Sequence, residues 1–288
     1  MIPNSFEYVR ADSVKQAVEL LARHGEDAKL LAGGHSLIPA MKLRLHAPTT
    51  LIDISGISAL TGISRDGDQL RVGAFATHRT VEFSDVVKKS CPVLAEAAGL
   101  IGDPQVRNRG TLGGSLAHAD PAADYPALVL ALDAQIHVSG KSGDRTIAAD
   151  TFFKGLFETD LQPDEVITGV TFPVLGKGTG AAYEKFPHPA SRFAVVGVAA
   201  VVSLDSSGTC TAARIGVTGA AATPFRAQDA ENALVGNKLD RTTVEKATKS
   251  IADPANLMSD LIATAEYRAH LCSVLATRAV HRATERAS

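Results

Sequence analysis

The chain has 288 residues, of which 45% are hydrophobic and 21% are charged, and its 29 basic residues nearly balance 31 acidic ones. This length allows two or three packed domains. The formal net charge of −2 provides no basic field of the kind that attracts nucleic acids or anionic membranes. The sequence therefore predicts a protein without a nucleic-acid partner.

The three cysteines are Cys91, Cys210 and Cys272, and they lie far apart without any paired motif. Zinc sites need clustered Cys and His, so we predict no metal ligands in this chain. Three thiols cannot build a four-cysteine iron–sulfur cluster, and their odd number favours a reducing cytosol. No signal-peptide pattern begins the sequence and no uncharged apolar run reaches membrane-spanning length, so we expect a cytoplasmic protein with no integral membrane segment.

Residues 1–55 are typical of an α/β unit. Its predicted elements are a helix over 13–21 and strands over 28–32 and 50–54. Asp12 or Ser13 is placed to cap the start of the helix, and Gly25 is placed to end it.

Residues 56–176 predict a second, α+β unit. Asp66-Gly67 between two apolar–polar alternating runs indicates a β-hairpin. The other predicted elements are helices near 94–98 and 127–132 and strands over 135–139, 144–148 and 166–172.

Residues 177–288 form the third predicted unit, after a glycine-rich linker over 175–180. Its predicted elements are three strands over 183–186, 195–204 and 211–218, followed by helices from Ala227 to the end. The last helix, over 263–283, is amphipathic, and we place Arg268, Arg278 and Arg282 on its polar side. The unit is therefore expected to be a small antiparallel sheet with helices.

Two segments carry adjacent glycines beside hydroxyl residues. They are Ala32-Gly33-Gly34-His35-Ser36-Leu37 and Thr111-Leu112-Gly113-Gly114-Ser115. Paired glycines allow positive φ and close approach of a ligand, successive N–H groups can form anion-binding nests, and hydroxyls can donate to phosphate oxygens. Together the two segments could hold the two phosphates of a dinucleotide, whereas each pair alone is also explained by a tight turn. Neither pair fits the Rossmann or P-loop pattern.

Asp124 follows the second glycine pair at a short distance. A carboxylate there could bond a ribityl or ribose hydroxyl, or it could cap the helix that begins near Pro126. His118 and Asp120 could act in acid–base chemistry, but the pattern favours polar surface residues on a loop. Lys42 and Arg44 suit either a phosphate-binding region or a solvated face.

Over nearly its whole length the sequence resembles the FAD-binding medium subunits of the molybdenum hydroxylases, which include carbon monoxide dehydrogenase and xanthine dehydrogenase. The resemblance rests on long strings at 32–44 (AGGHSLIPAMKLR), 103–114 (DPQVRNRGTLGG), 182–185 (AYEK) and 265–268 (AEYR). It implies an α+β fold: a vanillyl-alcohol-oxidase-like (PCMH-type) FAD-binding domain of two subdomains, plus a C-terminal domain.

The resemblance also implies site residues. The residues expected to bind FAD are Ala32, Gly33, Gly34, His35, Ser36, Leu37, Thr111, Gly113, Gly114, Ser115, Asp124, Ile167 and Lys185. Asp124 would hold the ribityl chain, Ile167 would contact the flavin through its backbone, and Lys185 would lie near the polar edge of the flavin. Tyr183 is the expected catalytic residue, close to one face of the flavin as a gate for the second substrate.

A member of this family would be an oxidoreductase subunit that binds FAD non-covalently. The molybdenum cofactor and [2Fe-2S] clusters would belong to a large and an iron–sulfur small partner subunit, in a dimer of heterotrimers, in the cytoplasm or attached to the inner face of the membrane. Many relatives carry an acidic residue near Arg192, so the acceptor pocket departs from the pattern here. The alternative functions are a stand-alone flavin oxidase or dehydrogenase, and an assembly factor that kept the fold.

Overall fold

Three main sheets follow one another along the chain in the computed structural model, which describes residues 2–288, and a two-stranded ribbon interrupts the second of them in sequence. The strands are β1 Glu7–Arg10, β2 Ala28–Leu31, β3 Thr50–Asp53, β4 Ile63–Asp66, β5 Gln69–Gly73, β6 Gln135–Gly140, β7 Gly143–Ala148, β8 Phe153–Gly155, β9 Glu158–Thr159, β10 Val166–Pro173, β11 Thr179–Pro187, β12 Ala194–Leu204, β13 Cys210–Thr218 and β14 Phe225–Arg226. The helices are α1 Val14–His24, α2 Leu37–Lys42, α3 His78–Phe83, α4 Asp85–Ser90, α5 Pro92–Leu100, α6 Pro104–Arg107, α7 Leu112–His118, α8 Tyr125–Ala131, α9 Ala149–Phe152, α10 Gln228–Leu234, α11 Arg241–Thr248 and α12 Ala265–Ala287. The mixture of helices and sheets confirms the predicted α+β class.

The first sheet is parallel, with the order β1-β3-β2. Its central strand β3 is buried along its whole length, as expected for the middle of a parallel sheet. Helix α1 begins where the Ser13 side chain accepts a hydrogen bond from the N–H of Gln16, and it ends at Gly25, which has φ of 59°. Both predicted ends of this helix are confirmed.

The second sheet has the order β4-β5-β10-β6-β7 and is antiparallel throughout. The predicted hairpin joins β4 and β5 around Asp66 and Gly67, where Gly67 has φ of +54°. Helices α3 to α8 lie between β5 and β6 in sequence, and the buried residues of α5, α7 and α8 share one hydrophobic core with this sheet. The second glycine segment therefore lies in a helical layer against the sheet.

The third sheet has the order β11-β12-β13-β14. The sequence predicted three strands, and the structure adds a fourth, the short strand Phe225–Arg226. Two residues are too few to show the alternation of polar and apolar residues that predicts a strand. Helix α12 packs on β11 and β12, and Gly180 is needed there because a Cβ would lie 1.9 Å from the carbonyl oxygen of Ala283. Gly216 of β13 similarly allows close contact with α8, where a Cβ would lie 2.2 Å from the Ala127 carbonyl oxygen.

The helical prediction for the C-terminal unit is wrong in two respects. Between α11 and α12 the chain is irregular apart from one 3₁₀ turn, Pro254–Asn256, so the helices are not continuous from Ala227. Arg268 is 3% exposed and does not lie on a polar side; its guanidinium donates to the carbonyls of Val195 and Gly219. Its charge suggested exposure, but the unpaired carbonyls at the ends of two strands provide it with buried acceptors.

Charged side chains join the end of α12 to other parts of the fold. Arg286 bonds Glu96 on α5 at 2.9 Å, and Arg282 bonds Glu184 on β11 at 2.6 Å. Over residues 2–288, no helix combines the length and apolar character needed to cross a bilayer.

Candidate functional site

The two glycine segments, distant in sequence, meet in the fold. A Cβ on Gly33 would lie 2.0 Å from the carbonyl oxygen of Arg109 and 3.0 Å from the Cα of Gly110. A Cβ on Gly114 would lie 3.9 Å from the Cβ of Ala32. We name the residues Ala32–Leu37 the first loop and the residues Thr111–Ser115 the second loop. The predicted juxtaposition of the two glycine segments is thus present, and Gly33 makes it possible by lacking a side chain.

The first loop leaves a row of backbone donors free. Across residues 2–288, no protein acceptor receives a hydrogen bond from the N–H groups of residues 33–37. The first donors of the following helix that are used belong to Ile38, which bonds the Gly34 carbonyl, and Ala40, which bonds the Ser36 carbonyl. Of the four paired glycines only Gly34 has a positive φ, at +74°. Successive free N–H groups around a left-handed glycine are suited to an anion such as a pyrophosphate.

The second loop uses its backbone donors within the protein. The N–H groups of Leu112 and Gly113 donate to the carbonyls of Ala76 and Ala74. The N–H of Gly114 donates to the side-chain oxygen of Thr111, and the N–H of Ser115 donates to the Thr111 carbonyl. The predicted anion nest of backbone N–H groups is therefore wrong for this loop. The polar groups of this loop that could still bond a ligand are the hydroxyls of Thr111 and Ser115. Thr111 is 3% exposed, and Ser115 is partly exposed.

Two buried aromatic rings support the second loop. The backbone N–H of His78 donates to the Gly110 carbonyl, and a Cβ on Gly110 would lie 2.5 Å from the His78 ring. The His78 ring lies 5.4 Å from that of Tyr125, the residue after Asp124. Burial, with His35 and Arg107 nearby, lowers the pKa of His78 to about 4, so its imidazole is neutral at neutral pH. The sequence analysis did not single out either residue.

Asp124 forms a buried polar cluster with Tyr183 and Lys185. The Tyr183 phenol donates to Oδ1 of Asp124 at 2.6 Å, and Nζ of Lys185 lies 2.8 Å from Oδ1 and 2.9 Å from Oδ2. Nζ also donates to the Leu100 carbonyl at 3.2 Å. The Asp124 and Lys185 side chains are each 3% exposed. Three residues predicted for the site are thus brought together, although 59 residues separate Asp124 from Tyr183.

Burial and neighbouring charges shift the pKa values of the cluster in defined directions. Burial raises the pKa of Asp124, while Lys185 and the Tyr183 phenol oppose that rise by stabilising the carboxylate. Burial and the neighbouring carboxylate raise the pKa of Tyr183 well above its ordinary value, so the phenol keeps its proton and serves as a donor. Asp124 stands at the start of α8, but its side chain makes no capping bond. Of the two interpretations left open, helix capping is the wrong one.

Gly197 makes room for Tyr183, a role that the sequence analysis missed. Tyr183 pairs with Ala199 across β11 and β12, and a Cβ on Gly197 would lie 2.3 Å from the phenol oxygen. A glycine inside a strand of Val and Ala is a signal of close approach that could have revealed it. Tyr183 is itself 2% exposed, so its ring is buried together with Asp124 and Lys185.

Ile167 lies at an irregular point of β10. The register with β6 shifts between Ile167 and Gly169, and the carbonyl of Thr168 accepts from the N–H of Ala74. The Ala74 carbonyl in turn accepts from Gly113, so the bulge is joined to the second loop through one residue. Ile167 as a whole is 5% exposed and belongs to the core of the second sheet, so its side chain is not free to meet a ligand.

The remaining candidates lie around these groups. His35 is exposed, with Nδ1 3.2 Å from the Gly33 carbonyl oxygen, and Lys42 and Arg44 are exposed. Asp120 accepts a bond within its own turn from the N–H of Ala122. Arg192 is exposed in a left-handed turn with φ of 62°. The three cysteines are buried and unpaired.

The free donors of the first loop fit the pyrophosphate of a dinucleotide, and the Asp124 carboxylate, which accepts one hydrogen bond at each oxygen, fits a polyol hydroxyl. The comparisons agree with this fit. The family "FAD binding domain in molybdopterin dehydrogenase" matches residues 4–175, and "CO dehydrogenase flavoprotein C-terminal domain" matches residues 181–283.

Similar proteins match the chain from end to end. The carbon monoxide dehydrogenase medium chain of Afipia carboxidovorans is 41% identical, with 100% of this chain and 99% of that protein covered. The 6-hydroxypseudooxynicotine dehydrogenase complex subunit alpha of Paenarthrobacter nicotinovorans is 38% identical, with 100% and 97% covered. A chain of the solved carbon monoxide dehydrogenase from Hydrogenophaga pseudoflava superposes with a TM-score of 0.96 at 43% identity, with 100% of both chains covered. The chain therefore belongs to the family of FAD-binding medium subunits of the molybdopterin dehydrogenases, as its sequence motifs predicted.

Proposed function

We propose that this chain is the flavoprotein subunit of a molybdenum hydroxylase complex. It would bind FAD non-covalently and connect iron–sulfur clusters of a small partner subunit to an external electron acceptor. The substrate would be oxidised at the molybdenum cofactor of a large partner subunit. The observations that carry the proposal are the row of free N–H groups over residues 33–37 and the buried cluster of Asp124, Tyr183 and Lys185. When bound, FAD supplies reversible one- and two-electron redox chemistry.

The first loop would hold the pyrophosphate. Its backbone donors need no side-chain charge, because several aligned N–H groups carry partial positive charge toward a bound anion. The hydroxyls of Ser36 and Ser115 stand on the two loops, and the structure shows no protein partner for either within residues 2–288. They are available as further donors to phosphate oxygens.

The Asp124 cluster would hold the ribityl chain and the polar edge of the flavin. An ionised carboxylate offers about four lone-pair sites; Tyr183 donates to Oδ1 and Lys185 donates to Oδ2, so capacity remains for a ribityl hydroxyl. The Lys185 ammonium has three donors, and the Leu100 carbonyl and Asp124 receive bonds from them. Tyr183 fixes the carboxylate by donating to it, which is a more limited role than the gate that the resemblance implies.

The burial of the cysteines supports the proposal that the iron–sulfur clusters lie in a partner subunit and not in this chain. Cys91 is in the core of the second sheet, and Cys210 and Cys272 are in the core of the third. Burial raises the pKa of Cys91 and of Cys272 to about 12, so neither forms the thiolate that a cluster ligand must be. We place the complex, a dimer of heterotrimers, in the cytoplasm or at the inner membrane face; fractionation of native cells would test both locations.

The experiment that tests the proposal is an FAD titration of the purified full chain with substitutions in the cluster. Asp124→Asn leaves the Lys185 ammonium buried without its counter-charge, so we expect a loss of about 3–5 kcal/mol in unfolding free energy and weaker FAD binding. Asp124→Asn combined with Lys185→Met removes both charges, and we expect it to recover stability without recovering FAD affinity. Asp133→Asn is the control, because Asp133 pairs with Arg214 while remaining 58% exposed.

Three outcomes would contradict the proposal. A wild-type chain that takes up no FAD would leave an assembly factor as the better explanation. A chain that oxidises an organic substrate without partners would favour a stand-alone flavin enzyme. A doubly substituted chain with wild-type FAD affinity would show that the Asp124 cluster does not contact the cofactor.

A further inference from the structure

We propose that Thr218, in the C-terminal unit, is a positioning residue for Asp124. The inference rests on the proposed function, in which Asp124 holds the ribityl chain. Thr218 is the last residue of β13 and is 1% exposed. Its hydroxyl oxygen lies 2.7 Å from the carbonyl oxygen of Ala123, the residue before Asp124, and 3.0 Å from that of Pro121.

The segment that carries Asp124 is held by the ends of two C-terminal strands. Besides the hydroxyl of Thr218, the N–H of Gly219 donates to the Pro121 carbonyl at 2.7 Å and the N–H of Ala194 donates to the Ala122 carbonyl at 3.0 Å. Three consecutive carbonyls, at 121–123, thus accept bonds from the third sheet. Among the donors that the structure shows for them, Thr218 alone donates through a side chain, so it alone can be removed without changing the backbone.

The strand ends that hold this segment are themselves fixed. The Arg268 guanidinium lies 2.6 Å from the carbonyl oxygens of both Val195 and Gly219, and its other terminal nitrogen lies 2.6 Å from a carboxylate oxygen of Asp260. Gly219 has φ of +82°, and a Cβ there would lie 2.5 Å from the Ala194 carbonyl oxygen. The strand ends beside Thr218 are therefore held in place by Arg268 and by the close packing at Gly219.

Thr218 and the carboxylate partners of Asp124 hold different atoms of the same segment. Tyr183 and Lys185 lie on β11 and hold the carboxylate, whereas Thr218 on β13 holds the backbone immediately before it. Both strands belong to the same sheet. The third sheet therefore contacts both the carboxylate of Asp124 and the backbone immediately before it.

The test compares isosteric substitutions in the full chain. Thr218→Val removes the hydroxyl at constant shape, and Thr218→Ser retains the hydroxyl. Thr248→Val is the matched control, because Thr248 is also in the C-terminal unit, is 0% exposed, and has its hydroxyl oxygen 2.9 Å from the Val244 carbonyl oxygen. Each variant is measured for thermal unfolding, FAD affinity, the flavin absorption spectrum and the flavin reduction potential.

We expect both Val variants to lose similar stability, because each removes the hydrogen bonds of one buried hydroxyl: Thr218 to the Ala123 carbonyl, and Thr248 to the Val244 carbonyl and the Thr277 hydroxyl. Only Thr218→Val should lower FAD affinity, by about tenfold, which corresponds to one well-placed hydrogen bond. Only this variant should shift the flavin spectrum and potential, and Thr218→Ser should restore the wild-type values. Should Thr218→Val fail to fold, Thr218→Cys provides a weaker donor of similar size and should give an intermediate loss.

The remaining outcomes overturn the inference. Wild-type affinity and spectrum in Thr218→Val would show that the hydroxyl does not position Asp124. An equal loss of FAD in Thr248→Val would show that general destabilisation explains the effect. In both cases the wild-type chain still binds FAD, so the proposed function survives; a wild-type chain that binds no FAD overturns both.

Discussion

The two glycine loops are similar in sequence but differ in how they use their backbone. In the first loop the N–H groups of residues 33–37 donate to no protein acceptor that the structure describes. In the second loop the N–H groups of Leu112, Gly113, Gly114 and Ser115 all donate to acceptors within the protein. The first loop therefore keeps backbone donors available for the anion we propose, while the second is a support against which the first loop packs.

Glycine also has a different purpose in each pair. Gly33 permits contact between the loops, Gly34 permits a left-handed turn, and Gly113 permits close packing on Ala74, where a Cβ would lie 2.6 Å from the Ala74 side chain. Close backbone approach is thus the more frequent reason for glycine at this site. A pair of adjacent glycines in a sequence does not by itself reveal which of these reasons applies.

The largest expected effect comes from closing the space between the loops. Gly33→Ala would place a Cβ 2.0 Å from the Arg109 carbonyl oxygen, and the backbone there must move. We expect FAD content to fall more than tenfold, together with a loss of stability. Gly62→Ala is the control, because a Cβ there would meet nothing within 4 Å. Normal flavin content in Gly33→Ala would show that the contact between the loops is not needed for binding.

A second prediction concerns the support of the second loop and depends on pH. The pKa of His78 is about 4 in the folded chain and about 6.5 when unfolded, so between these values only the unfolded chain takes up the proton. Stability is therefore complete above pH 6.5 and falls as the pH drops, by about 3 kcal/mol when pH 4 is reached. Urea unfolding at pH 7 and pH 4.5 should show this loss, and the loss should be smaller in His78→Leu. Equal pH dependence in the two proteins would assign the effect to other groups.

The smallest expected effect tests whether the second loop only supports the first loop or also binds the ligand. Thr111→Val removes the cap on the N–H of Gly114, which should cost about 1 kcal/mol. If this loop is a support, melting temperature should fall equally with and without FAD, and FAD affinity should stay within about threefold of wild type, since that corresponds to less than one hydrogen bond. A larger loss of affinity would instead show that the Thr111 hydroxyl contacts the cofactor.

Local sequence patterns predicted the helices and strands well, but they could not predict which distant residues come into contact. The hairpin at Asp66-Gly67 and the cap at Ser13 depend on neighbours in sequence, so periodicity and turn chemistry were enough. The meeting of Asp124 with Lys185 joins residues 61 positions apart, and no spacing rule predicts it. It was expected only through the resemblance.

The errors have a common physical origin. Arg268 was placed on a polar face because arginine is usually exposed, but backbone carbonyls at two strand ends satisfy it in the interior. The paired glycines of the second loop predict an anion nest, as those of the first loop do. The N–H groups of Gly113 and Leu112 instead donate to the carbonyls of Ala74 and Ala76. In both cases acceptors from a distant part of the chain decide the outcome.

Strand β11 has a mechanical consequence for the end of the chain. Glu184 lies between Tyr183 and Lys185 in sequence, and alternate residues of a strand point to opposite faces. Arg282 therefore bonds the reverse side of the strand that carries Tyr183 and Lys185. Shortening the chain after Ala276 would remove this contact, and attaching bulk to its last helical turn would strain it, one strand away from the proposed cofactor site. A tag for purification or for a spectroscopic label is thus better placed at the N-terminus.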